Sequence, residues 1–180
     1  SPPPPAPPTP TSTPTREAAA KAVWAQAMTV LRASVPFEET AKAMGELRRL
    51  LSDYADTSYV SWARMAMVNG HLNLRQNQEA IKAARGVIAD YPGTLQAAWC
   101  QMFIGEAYRN LGELLNAYYA FRDTESYDSL DDPGPVLAAR KKTREMWGEL
   151  CKQHPELKSL GWPVDGRRLS IANLAALNGY

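Results

Sequence analysis

The chain has 180 residues, 45% of them hydrophobic and 22% charged, with a formal net charge of +1 and a pI near 7.7. That length suits one sizeable core, and the balanced charge sets up no global field to gather nucleic acid or an anionic membrane. No apolar run approaches the ~20 residues that a membrane span needs.

The first residue is serine rather than methionine, which reads as a processed or excerpted polypeptide whose targeting signal is not legible. Residues 1–14, SPPPPAPPTPTSTP, hold eight of the fourteen prolines. They predict an extended polyproline II arm over residues 1–15, a semi-rigid spacer. Such spacers separate exported domains from a membrane anchor or lipid; the plainer reading is a tail with no specific task. A first helix is expected over residues 16–34, stopped before Pro36, and a second over 38–54. The next pair covers 58–74 and 78–90, closed by Tyr91, Pro92 and Gly93. A third pair spans 95–110 and 113–127. The loop DSLDDPGP then precedes a seventh helix over 136–153, stopped before Pro155. Residues 156–180 read as a tail with a short amphipathic helix bearing Leu169, Ile171, Leu174 and Leu177. That helix either closes the domain's own end or reaches another subunit. No segment shows a period of two, so the class is all-α, with one helical domain over residues 16–155.

The elements repeat. Tryptophans stand at 24, 62 and 99, and SDYADTSYV at 52–60 is answered 37 residues later by ADYPGTLQA at 89–97. A period of that size is the signature of stacked helix pairs. Within residues 99–121, WCQMFIGEAYRNLGELLNAYYAF, Gly105 needs a reason, because a lone glycine inside a helix costs ~1 kcal/mol relative to alanine. The intervals Gly105, Tyr108, Gly112, Ala117 and Phe121 supply one. They predict two helices folded together, with Gly105 admitting a close neighbour and Gly112 making the turn.

Those five residues, with Ile104 at the leucine position, resemble the tetratricopeptide repeat. The preceding unit is similar more loosely: His71 stands where the tyrosine belongs, Ala80 at the small position and Pro92 at the closing proline, while Arg75 replaces the turn glycine. The first unit keeps Ala43 and the Tyr54-Ala55 ending. The period and the junctions look like those of bacterial envelope proteins of the Tol-Pal coordinator and outer-membrane-assembly lipoprotein types, over about residues 16–153. The resemblance implies an α-solenoid of about three helix pairs plus a capping helix. It also implies a non-catalytic protein-protein interaction scaffold or adaptor of the bacterial cell envelope, periplasmic or exported, without a cofactor. Its partners would be protein subunits of an envelope or membrane complex. An alternative is an accessory subunit of a membrane-bound complex, held by its arm and tail.

In that family the first helix of each pair lines a concave groove. Carried over by position, the groove residues are Trp62, Met65, Asn69, Leu72 and Asn73, then Trp99, Met102, Glu106, Arg109 and Asn110. Tryptophan and methionine offer large, adaptable apolar area, and asparagine and arginine can bond the backbone or a carboxylate of an extended peptide. The competing reading packs both tryptophans between neighbouring helices. Some family members clamp a C-terminal carboxylate with a lysine and an asparagine; here Asn69 is kept, and Met65 stands in place of the lysine.

The seventh helix carries Arg140, Lys141, Lys142 and Arg144, after an acidic stretch with Asp123, Glu125, Asp128, Asp131 and Asp132. It reads either as a charged docking surface or as a solvated cap, since terminal repeats need a polar outer side. No phosphate loop, paired-histidine metal motif or nucleophile elbow is present. His71, on the consensus tyrosine, is expected to pack, and His154 to sit at a helix end. An enzyme or ligand-binding module would need a polar pocket among these histidines. Cys100 and Cys151 are placed about 20 Å apart on parallel helices, too far for a disulfide, and read as buried thiols.

Overall fold

Thr13 opens the first helix by accepting a hydrogen bond from the Arg16 N–H on its Oγ1 at 3.4 Å, with Pro14 in the first helical turn; proline costs nothing there because its missing donor would be unsatisfied anyway. In this computed structural model, which describes residues 12–33 and 35–160, the helix starts two residues inside the predicted arm. The elements are α1 (Pro14–Arg32), α2 (Phe37–Asp53), α3 (Tyr59–Asn73), α4 (Asn77–Asp90), α5 (Leu95–Asn110), α6 (Leu114–Asp123) and α7 (Gly134–Gln153). Short 3₁₀ turns come after α6 and α7, at Thr124–Tyr127 and Pro155–Leu160. No strand occurs among the described residues, so they are all-helical. The helix expected over 113–127 is thus shorter, its last turn tightened to 3₁₀ as helix ends commonly are. The arm over residues 1–11 and the tail helix of 161–180 lie outside the described residues.

Each helix packs on the next, and the first members of successive pairs, α1, α3, α5 and α7, also touch in a row. Three apolar clusters run along this row. Leu31, Leu47, Leu50, Ala63 and Ala66 join α1, α2 and α3. Val68, Ile81, Val87, Cys100 and Ile104 join α3, α4 and α5. Tyr118, Phe121, Met146, Leu150 and Leu157 join α6, α7 and the last 3₁₀ turn. Leu157, in the segment read as tail, is fully buried there.

The 37-residue period recurs in backbone detail. Arg75 and Gly112 both hold positive φ, 60° and 77°, directly after α3 and α5. In both turns the next N–H reaches back to close the helix: Gln76 to the His71 carbonyl and Glu113 to the Tyr108 carbonyl, each at 2.9 Å. This is the left-handed helix stop that glycine adopts freely. The junctions repeat too, with Thr57 and Thr94 donating from Oγ1 to the carbonyls of Tyr54 and Tyr91 at 2.8 and 2.7 Å. A guanidinium covers each of those rings: Arg16 lies 5.3 Å from the Tyr54 centroid and Arg64 lies 5.5 Å from that of Tyr91. Gly105 also has its reason, since a methyl added there would stand 2.5 Å from the Phe121 ring.

Candidate interaction surface

Trp62 on α3 is half-buried, its ring centroid 5.5 Å from that of Trp24 on α1, and Tyr59 lies 5.8 Å from Trp24 on the same side. The three rings form an aromatic seam between α1 and α3. Further along α3, Asn69 and Asn73 both donate from Nδ2 to the Leu31 carbonyl, at 3.4 and 2.8 Å. The last carbonyls of a helix have no intrahelical partner, and these two amides supply one at the end of α1. Met65 is buried in the second cluster, and half-buried Leu72 packs against it.

On α5, half-buried Trp99 lies 6.1 Å from Phe103 and close against Gly134, where an added methyl would be 3.4 Å from its ring. Met102 is buried in the third cluster. Glu106 takes two cations, Arg109 from its own helix at 2.6 Å and Lys142 from α7 at 3.2 Å. Asn110 donates to Asn77 Oδ1 on α4 at 3.1 Å. The predicted groove residues therefore lie along one row of helices, where Trp62, Asn69, Asn73 and Glu106 bridge neighbouring first helices. Their packing role and their half-exposed surfaces coexist. Arg109 and Asn110 remain exposed.

The basic run of α7 divides. Lys142 is held by Glu106 and by Glu145 at 3.7 Å, whereas Arg140, Lys141 and Arg144 are exposed. The link from Lys142 to α5 depends on how the helices stack, and no local pattern announces it.

Sequence reading passed over two notches on the other side of the row. One, about 370 Å³, lies among α2, α3 and α4 and is lined by Leu51, Met67, His71, Glu79, Lys82 and their neighbours. The other, about 430 Å³, lies among α4, α5 and α6 and is lined by Ile88, Ile104, Tyr108, Asn116, Tyr119 and their neighbours. Each of the first set stands 37 residues before its counterpart in the second, so the period itself was the available signal. His71 does not stand isolated, because its Nδ1 lies 2.7 Å from Gln76 Oε1. His154 Nδ1 lies 3.3 Å from Glu156 Oε1 at the end of α7.

Ionisable groups respond to these surroundings. Burial pushes the Cys100 thiol well above its ordinary value, with the Arg64 charge opposing weakly, as expected when desolvation disfavours a thiolate. Cys100 and Cys151 are both free and buried. At the start of the row Glu17 accepts from Ser12, from the Ser58 N–H at 3.0 Å and from Ser58 Oγ at 2.7 Å. The Ser12 bond, then those from Ser58, hold this carboxyl below the usual range. Arg16 does the same for Asp56, 2.7 Å away.

Among the described residues no helix is long and apolar enough to cross a membrane, and no group of three or more His, Cys, Asp or Glu is placed to hold a metal. These residues define an all-helical protein of consecutively packed helix pairs. No protein-family model, curated protein or solved structure matches the chain.

Proposed function

We propose that this chain is a tetratricopeptide-like solenoid that binds a protein partner along the row α1, α3, α5 and α7, as a non-catalytic scaffold of a bacterial envelope complex. The observation that carries the reading is the pair Trp62 and Trp99. Both sit on neighbouring first helices and are half-buried, so each residue keeps some surface in reach of solvent. Half-exposed tryptophans supply much contact area for little ordering entropy, which is why they anchor protein interfaces. Exposed Arg109 and Asn110 at the far end of α5, held by Glu106 and Asn77, keep further N–H donors that can bond a peptide backbone or carboxylate. The envelope setting is supported by the proline-rich start of the chain and by the family resemblance of the junctions.

Cross-linking mass spectrometry on the protein purified gently from its native membranes tests the proposal. A recurrent partner linked to residues beside this row, such as Lys142, is the expected result. Trp99→Ala should weaken that capture at least tenfold while helicity stays near normal, a loss on the scale of an interface anchor. Capture unchanged in both Trp62→Ala and Trp99→Ala would overturn the reading. Loss of capture on deleting residues 1–11, with both tryptophan variants unaffected, would favour the accessory subunit held by its arm.

A further inference from the structure

The two ends of the helix row are unlike. At the first end, Gln26 of α1 stands 37 and 74 residues before Ala63 and Cys100. Those counterparts are fully buried, Ala63 in the cluster shared with α1 and α2. Gln26 therefore marks the side that each later pair turns toward its predecessor, and no described helix precedes α1. This open side holds a notch of about 140 Å³ with Val23, Ala27 and Val30 as its apolar wall and Glu39, Lys42 and Glu46 from α2 at its edge. Phe37, 61% exposed, and the exposed Glu38 stand in the first turn of α2, outside the notch lining.

At the other end, α5 and α7 begin 39 residues apart, at Leu95 and Gly134. In that register Ala97, Cys100, Ile104 and Ala107 correspond to Val136, Ala139, Thr143 and Met146, and all eight are buried. The register also matches Ala98, Met102 and Gly105, buried in α5, with Leu137, Lys141 and Arg144, exposed in α7. In α5 that face receives α6 and α7, Met102 joining the third cluster and Gly105 lying under Phe121. On α7 the same face carries Leu137, 57% exposed, with Arg140, Lys141 and Arg144 beside it. The nearby acids are largely engaged, Glu145 with Lys142 and Glu149 with Lys152.

We propose that these two ends are partners: the α7 face of one copy seats on the α1–α2 notch of a second copy. Leu137 meets the Val23–Val30 wall, and Arg140, Lys141 and Arg144 meet Glu38, Glu39 and Glu46, three acids against Lys42 and Arg49, the latter an exposed partner of Glu46 at 3.4 Å. The choice of a second copy rests on this charge complementarity between two end faces that no described helix covers. Contact between different surfaces does not close on itself unless the rotation returns, so it builds open chains rather than a dimer. The charges set the register and the encounter rate, and salt weakens them. Self-assembly of this kind would multiply the binding row of the scaffold and does not depend on that row having a partner.

Sedimentation velocity of the full chain, from low to high micromolar concentration, is the test. The mean mass should rise continuously with concentration, and added salt should suppress the rise. Glu39→Lys with Glu46→Lys, or Arg140→Glu with Arg144→Glu, should each weaken association about tenfold or more, with helicity unchanged. Mixing the two double variants should restore it, since the two unaltered ends pair with each other and the two charge-reversed ends are again opposite in sign. A monomer at every concentration would overturn the proposal. So would assembly that ignores both charge reversals, or growth that stops at two copies. Carbodiimide cross-links from Lys141 that reach only Asp165 of the same chain would overturn it too, by giving that face to the chain itself.

Discussion

Gly105 of α5 and Phe121 of α6 are packed so closely that a methyl on Gly105 would lie 2.5 Å from two ring carbons. Phe121 has no exposed surface to retreat into. Gly105→Ala gains ~1 kcal/mol of helix propensity and loses more to overpacking, which costs typically 1–3 kcal/mol. The expected net effect is a lower unfolding midpoint, and Gly105→Leu should unfold the third pair. Thermal denaturation monitored by circular dichroism checks both, and a Gly105→Leu protein with near-normal melting would contradict this packing.

Gly45 is the internal contrast. It also lies inside a helix, α2, but nothing stands within 4 Å of where its methyl would go. Gly45→Ala should therefore raise stability by about 0.5–1 kcal/mol, the propensity gain alone. A urea midpoint that falls instead would mean that α2 has an unseen neighbour at this point.

Arg75 and Gly112 make the same left-handed turn 37 residues apart, at φ 60° and 77°. A side chain in that conformation costs roughly 1–2 kcal/mol, which glycine avoids at some entropic loss. Arg75→Gly should accordingly leave stability equal or higher by up to ~1 kcal/mol, whereas Gly112→Arg should lower it by about 1 kcal/mol. Opposite signs from the two exchanges, measured by denaturant titration, are the check.

Acid should loosen the start of α1 from the junction between α2 and α3. Glu17 and Asp56 have folded-state pKa values below their ordinary ones, through Ser12 and Ser58 for the first and Arg16 for the second. The native state thus binds fewer protons than the unfolded chain. The stabilisation is complete above the ordinary carboxylate range and fades as pH falls through the folded-state values. Between neutral pH and about pH 3, Glu17→Gln with Asp56→Asn should lose less of its own stability than the wild type does. Parallel pH profiles for the two proteins would contradict this account.

Helix positions were legible because they rest on local rules. Apolar spacing at 3.6 residues and Pro36 and Pro155 as stops act within a few residues. The reason for Gly105 was equally local in kind, since a glycine mid-helix implies either a turn or a close approach. Boundaries drifted by a residue or two at helix starts, as at Pro14 and Gly134, where a helix end tightened, as at Thr124–Tyr127, and where the chain beyond a stop still found core, as Leu157 did.

The candidate surface was legible in position and not in use. A fixed period places Trp62, Asn69, Trp99 and Glu106 along one row, and composition alone says what such side chains can bind. It cannot say that Asn69 and Asn73 close the end of α1, that Trp62 leans on Trp24, or that Lys142 leaves its basic run to neutralise Glu106. Those pairings join residues 36–42 positions apart. They depend on the rotation and offset between neighbouring helices, which are set when whole faces interlock. The sequence by itself determined the helices, their stops and their period, because each is decided by neighbours along the chain. Only the tertiary structure decided which polar groups face one another across the row, and which faces at its two ends no described helix covers, because both arise from packing between helices.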